Sequence, residues 1–404
     1  MRPVVALILC WLGYFGALGL FFPFLSIYLT NELGLSPHAA TSWFALMPAM
    51  TLVVPPVIGL VADAERARAW LLRGCALASA IGFAAFLSWR GRLDSTAWLI
   101  VGAGFLLFAA CRAPMTSLLD AIAFEIADKL GTHYGRLRLW GSIGFALAVW
   151  GGARLVDHTG LPPLFVTGAA LLFVVAGASW LLPAPHLQRR QGTLRLFRLL
   201  LAERRTRLLV ATIFVSHIAG SSYDSTFSMH VVSLGYPRST AALLWAIGVG
   251  AEIGVLLASD RIIRRVGTER LLALALVVAA GRWALTAAAT SLPWLYVAQP
   301  LHGISFGLYY VVCARAMRGL GPELPTATQG LLASSFGLGG VVGMVMSGRL
   351  FELGGGRLVF SVAAGLALVA AALAGWFVVE DRAAHADGPE GQDAIDPAAR
   401  SQGT

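Results

Sequence analysis

PAPHLQRRQGTLRLFRLLLAERRTR, residues 183–207, is the longest polar segment between apolar stretches, and it lies near the middle of the 404-residue chain. Outward from it, six apolar stretches lie on each side. They fall near 4–30, 39–62, 70–90, 97–124, 138–157 and 161–182, then near 208–234, 239–259, 269–290, 294–316, 326–352 and 357–379. Each approaches or exceeds the ~20 residues that cross ~30 Å of hydrocarbon. The reading is an all-α membrane protein with twelve transmembrane helices in two six-helix bundles. The bundles occupy 1–183 and 208–380, joined by a basic cytoplasmic loop at 184–207, and a polar tail at 381–404 is expected to be disordered. Within the loop, Leu194, Leu196, Leu199 and Leu200 allow an amphipathic helix on the membrane surface, or the loop is a charged linker set by topology.

Composition agrees: 57% of residues are hydrophobic and 13% charged, against roughly 25% charged in soluble domains. The net charge of +9 does not point to nucleic acid, because the basic residues sit in short loops between apolar spans. If the N-terminus is cytoplasmic, 22 basic residues fall on the cytoplasmic side and six on the other, which supports an N-in, C-in topology. The run from Val4 to Leu29 is expected to be a retained first helix rather than a cleaved leader. Cys10, Cys75, Cys111 and Cys313 show no paired spacing and read as free thiols in packed helices.

The halves echo each other. Leu-Gly followed by a proline turn occurs at 33–37 and at 234–237, and an Asp followed by arginines at Asp63 and at Asp260. Both offsets are about 200 residues, where two parallel six-helix repeats would put them. The breaks between spans carry turn chemistry, as in Gly34-Leu35-Ser36-Pro37 and Gly354-Gly355-Gly356.

The candidate ionisable residues inside apolar spans are Arg112, Asp120, Asp224, Glu252, Arg282 and His302, with Glu125 near a helix end. Each costs at least ~2.5 kcal/mol to insert, so such groups face a wet cavity or one another. Helical rise puts Asp224, Arg282 and His302 at one level, roughly 12–15 Å below the outer surface, with Glu252 a little deeper. They form either a functional cluster or a structural ion pair of Asp224 or Glu252 with Arg282 beside a hydrogen-bonded His. Asp120 is expected to meet Arg136 or Arg138, and Glu125 reads as a solvated helix end. A buried carboxylate that leaves an arginine takes up a proton, the chemistry of a proton-coupled carrier. His302 can relay that proton, bind substrate, or serve structure alone. Phe21, Phe22, Phe24 and Tyr28 either line a cavity or pack.

YGRLRLWGSIGF at 134–145 and LHGISFGLYY at 301–310 resemble the phenylpropionate permease family of the major facilitator superfamily, related to the lactose permease type of oligosaccharide:proton symporter. The resemblance implies a major facilitator fold and proton symport. It assigns Asp120 and Arg138 to the substrate site, matches Tyr223-Asp224 to a Tyr-Asp pair in helix seven that joins the substrate site, and assigns Glu252, Arg282 and His302 to proton coupling. Arg112 lies outside the family pattern and is a candidate partner for a substrate carboxylate. Ser305 stands where the sugar symporters have a further glutamate, and their lysine partners for the helix-seven acid have no match. After helix two, Gly59, Asp63 and Arg68 match a loop that latches the cytoplasmic side in the family.

The expectation is therefore a secondary transporter in a bacterial-type inner membrane, handling a small organic solute and protons. An aromatic carboxylate such as phenylpropionate is preferred. A sugar, or proton-antiport export of a drug or metabolite, is the alternative, and a non-transporting receptor stays open. No cofactor, metal or nucleic acid is expected. H-E-x-x-H, G-x-S-G and a Walker A lysine motif are all missing, which argues against a membrane protease or an ATP-driven pump.

Overall fold

The computed structural model describes residues 2–61, 65–87, 95–131, 134–183, 193–321 and 324–386, and these residues are helical and turn throughout, without strands. Among the described residues, seven helical segments are long and apolar enough to cross a membrane. The N-terminal half contributes α1 (Arg2–Phe21), α2 (Pro37–Phe44), α3 (Leu46–Val61), α4 (Glu65–Phe86), α5 (Ser95–Arg112), α6 (Met115–Leu130), α7 (Tyr134–Thr159) and α8 (Leu161–Ser179). The linker carries α9 (Thr193–Ala202). The C-terminal half contributes α10 (Arg204–Ser233), α11 (Arg238–Val266), α12 (Thr268–Ala288), α13 (Leu292–Ala298), α14 (Tyr309–Gly319) and α15 (Pro325–Ala386).

Local chemistry explains the boundaries. Ser36 caps α2, its Oγ accepting from Ala39 N at 3.2 Å, with Pro37 in the first turn. Gly34 and Gly235 adopt φ of 70° and 88° in the two echoing Leu-Gly turns, a conformation that glycine reaches without a Cβ penalty. α15 is two helices in one: Gly354 and Gly355 leave helical geometry, the latter at φ 63°. The chain folds back there, because Leu331 and Leu332 share one apolar cluster with Ala370, Ala374 and Phe377.

Two interruptions fall inside spans. Pro114 ends α5 and restarts the chain as α6, since proline lacks the N–H that would continue the ladder. Beyond α13, Pro300 is followed by a π-helical turn at Gly303–Leu308 before α14 begins. Interrupted membrane helices are tolerated where their freed backbone meets protein or a cavity.

The outer surface is apolar, with Leu99 at 74% and Leu257 at 79% exposure. Such a surface suits lipid and would aggregate in water. Of the expected aromatic stripe, Phe21, Phe24 and Tyr28 are buried in the packed core, where Phe21 meets Phe44, Phe83, Phe105 and Phe108 within 6.5 Å. Phe22 alone of the four lines a cavity. The linker does carry a helix, α9, closed by Arg207, which donates to Leu201 O and Ala202 O at 2.9 and 2.6 Å. Leu200 is buried and Leu199 exposed, while the Leu194 and Leu196 side chains lie outside the described residues. The last helix continues to Ala386, and the rest of the tail lies outside the described residues.

Candidate functional site

Two adjoining cavities of about 420 and 330 Å³ lie between the halves and share Phe22, Arg112 and Asp224. The larger is walled by Tyr14, Phe15, Phe145, Trp245 and Phe306, with Arg138, Glu252 and His302 among its polar groups. The smaller adds Thr51, His217, Tyr310 and Gln329.

On the N-terminal wall, the break at Pro114 leaves Arg112 at the last position of α5. Its Nη2 donates to Thr51 Oγ1 at 3.1 Å and Met47 O at 3.5 Å, and its Nη1 to Tyr14 Oη at 3.4 Å. Tyr14 in turn reaches the Arg112 carbonyl at 3.4 Å. Every one of these partners is neutral. Among the described residues no carboxylate lies within 4.0 Å of this guanidinium, and its Nε is buried without a hydrogen bond.

Arg138 is held differently. Gly141, one turn on, has no room for a Cβ: Phe15 Cδ2 would lie 3.0 Å away and Arg138 Nη1 2.5 Å. That space lets the guanidinium lie over Phe15 and Trp11, 4.2 and 4.7 Å from their ring centres, a cation–π arrangement. Asp120 sits behind it, 4.0 Å from Arg138 Nε, and accepts from Tyr134 Oη at 2.6 Å. Asp120 thus meets Arg138, one of its two expected partners, and lies outside the lining of either cavity.

On the C-terminal wall, Glu252 pairs with His302 Nε2 at 3.4 Å. Gly303 and Gly307, one turn apart, bring the π-helical turn onto α11: a Cβ on Gly307 would meet Glu252 Cγ at 2.8 Å. His302 stacks on Phe306 with ring centres 5.1 Å apart. Asp224 opens on both cavities, and no ion pair within 4.0 Å holds it among the described residues.

Arg282 is 1% exposed and makes neither of the expected carboxylate pairs within 4.0 Å among the described residues. Its guanidinium lies 4.4 Å from the Tyr223 ring centre and 4.3 Å from that of Trp283. It donates to Ser305 Oγ and Gln299 Oε1, both at 3.4 Å, and Tyr223 Oη donates to the same Gln299 oxygen at 3.1 Å. A buried charge needs paired or hydrogen-bonded surroundings, and here a serine, a glutamine and two rings supply them. Tyr223 is therefore buried beside Arg282 rather than on the cavity wall.

Sequence reasoning missed Tyr14, Thr51, His217 and Gln299. A signal existed for Gln299, an amide immediately before a proline within an apolar run. Of the expected latch, Asp63 and the Arg68 side chain lie outside the described residues, and Gly59 is described as helical backbone alone.

The described residues form a helical body with an apolar outer surface and, between its halves, a largely apolar cavity that carries Arg112, Arg138, Asp224, Glu252 and His302; with the family match that follows, this is a multi-pass membrane transporter of small solutes and not an enzyme. The chain belongs to the MFS_1 like family, whose profile matches residues 4–362. It is 32% identical over 359 residues to a maltose permease of Geobacillus stearothermophilus, covering 86% of this chain and 88% of that protein. It is 29% identical over 378 residues to a probable 3-phenylpropionic acid transporter of Escherichia coli (strain K12), covering 90% and 95% respectively. In fold it is similar to the crystal structure of the nucleoside transporter NupG, with a TM-score of 0.76, 18% identity, and coverage of 94% of this chain and 99% of that one.

Proposed function

We propose that the chain is a proton-coupled symporter that takes up an aromatic carboxylate, of which phenylpropionate is the reference compound. It works as two six-helix bundles, 1–183 and 208–380, with twelve spans and both termini cytoplasmic, in a bacterial inner membrane. The arginine asymmetry of the loops supports that orientation.

One observation carries the substrate reading. Arg112 opens on the cavity with neutral partners only, beside Tyr14, Phe15, Phe22 and Phe145. A guanidinium in that setting fits a planar carboxylate, and the rings fit an aryl group. Glu252, Arg282 and His302 are the proton-coupling groups of the opposite wall, and Asp224 with Tyr223 completes the substrate site; the Tyr223 ring, under the Arg282 guanidinium and 5.4 Å from the His302 ring, links the two sets. Asp120 and Arg138 set the N-terminal wall. Gly59, Asp63 and Arg68 are the conformational latch.

A sugar is the second reading, favoured by the likeness to a maltose permease. Proteoliposomes separate the two. 3-Phenylpropionate, maltose and lactose are added in turn while external pH is recorded. Alkalinisation with phenylpropionate alone is expected; alkalinisation with a sugar alone replaces the carboxylate reading, and silence with all three removes symport of these classes.

A further inference from the structure

At the end of the molecule that holds the turns Gly34–Pro37 and Gly235–Pro237, two helices have their first turns completed by the opposite half. α2 begins at Pro37 and α11 at Arg238, so His38 and Ser239 occupy the same second position. Their backbone N–H groups have no partner within their own helices. His38 N donates to Glu352 Oε1 at 3.0 Å. Ser239 N donates to Asp157 Oδ1 at 3.2 Å, and Ser239 Oγ donates to Asp157 Oδ2.

The exchange is reciprocal. Asp157 lies in the last turn of α7 in the N-terminal half and serves a helix of the C-terminal half. Glu352 lies just before the Gly354 break in the C-terminal half and serves a helix of the N-terminal half. The two donors and the two acceptors are each separated by about 200 residues, the offset of the sequence echo. The repeat therefore reproduces the contact as well as the helices. Around it, Arg238 Nη1 lies 3.4 Å from Glu32 Oε1, Arg349 holds Glu352 at 3.1 Å, and Thr41 packs so tightly on Gly348 that no Cβ would fit.

We propose that Asp157 and Glu352 are the paired jaws of a releasable latch that holds this end of the cavity shut. A carboxylate at a helix start gains from the unpaired N–H groups and the helix dipole. Both bonds lie at exposed positions, so water replaces the carboxylate when the halves part. The latch is thus strong enough to bias the closed state and weak enough to open in each cycle.

The test needs no knowledge of the substrate, so failure of the carboxylate reading leaves it standing. Thr41 is fully buried between the halves, and Thr41→Cys serves as a reporter. The labelling rate with a membrane-impermeant maleimide is measured in purified full-length protein, after subtracting that of the chain with its four native cysteines alone. Adding Asp157→Asn or Glu352→Gln is expected to raise the rate about fivefold each, and the double variant by more than either. A folded double variant, judged by unchanged gel-filtration profile and thermal midpoint, that labels at the unaltered rate overturns the proposal. Ser239→Ala removes one hydroxyl and keeps every charge, so it decides the matter if the double variant does not fold. About a twofold rise is expected there, and no rise overturns the latch.

Discussion

The two walls of the cavity solve the same problem in opposite ways. Each must keep an arginine in the membrane. On the C-terminal wall, Arg282 is enclosed: two rings, a serine and a glutamine surround it, and little remains for a solute to offer. On the N-terminal wall, Arg112 hangs from a broken helix with neutral partners and faces the cavity. On the proposed function, that difference separates the cation that packs from the cation that meets a solute carboxylate. Both arginines are held by neutral groups and both keep an Nε without a hydrogen bond; what separates them is that Arg282 is 1% exposed while Arg112 opens on both cavities.

The largest effect that would break this contrast is at Arg112. Arg112→Gln should weaken carboxylate binding ~30- to 100-fold, the range for a lost charged hydrogen-bonded pair, with the folded protein retained. Titration by calorimetry or counterflow measures it, and an unchanged affinity would make the two walls alike. Next, Glu252→Gln should abolish solute-driven alkalinisation while solute exchange across equilibrated liposomes continues. Loss of both activities would place Glu252 in binding instead. Asp120→Ala removes the partner of Arg138 and Tyr134 and should cut proton-driven uptake about tenfold without preventing membrane insertion; full uptake would show that the rings of Trp11 and Phe15 suffice to seat Arg138. The smallest effect is expected at Gly141→Ala. Its new Cβ displaces the Arg138 guanidinium, and a KM two- to fivefold higher, with kcat held within about twofold, sharpens the view that cation–π seating matters on this wall.

Much of this was legible beforehand because membrane helices announce themselves by composition. The ionisable residues were legible too, since each is conspicuous in an apolar run. Of their partners, Arg138 for Asp120 was within the expected pair, and the others were not. Helical rise placed Asp224, Arg282 and His302 at one level, but level alone cannot tell which side chains face which. Glu252 took His302, and Arg282 took an uncharged amide from Gln299, a residue that a search for charges passes over. Pro114 was visible as a letter, yet its effect, setting Arg112 at a helix end against Thr51 and Tyr14, depends on contacts 61 and 98 residues away. The same holds for Glu352 and His38, 314 residues apart, whose pairing no local pattern encodes.

The linker helix α9 carries a mechanical consequence. Phe197 lies against Gly330 and Leu200 against Gly321, both in the C-terminal half, so α9 rides with that half as part of its body. The linker helix is therefore a handle on that half: a probe at Leu199, which is exposed on α9, reports the surroundings of the C-terminal half and not those of a free connector.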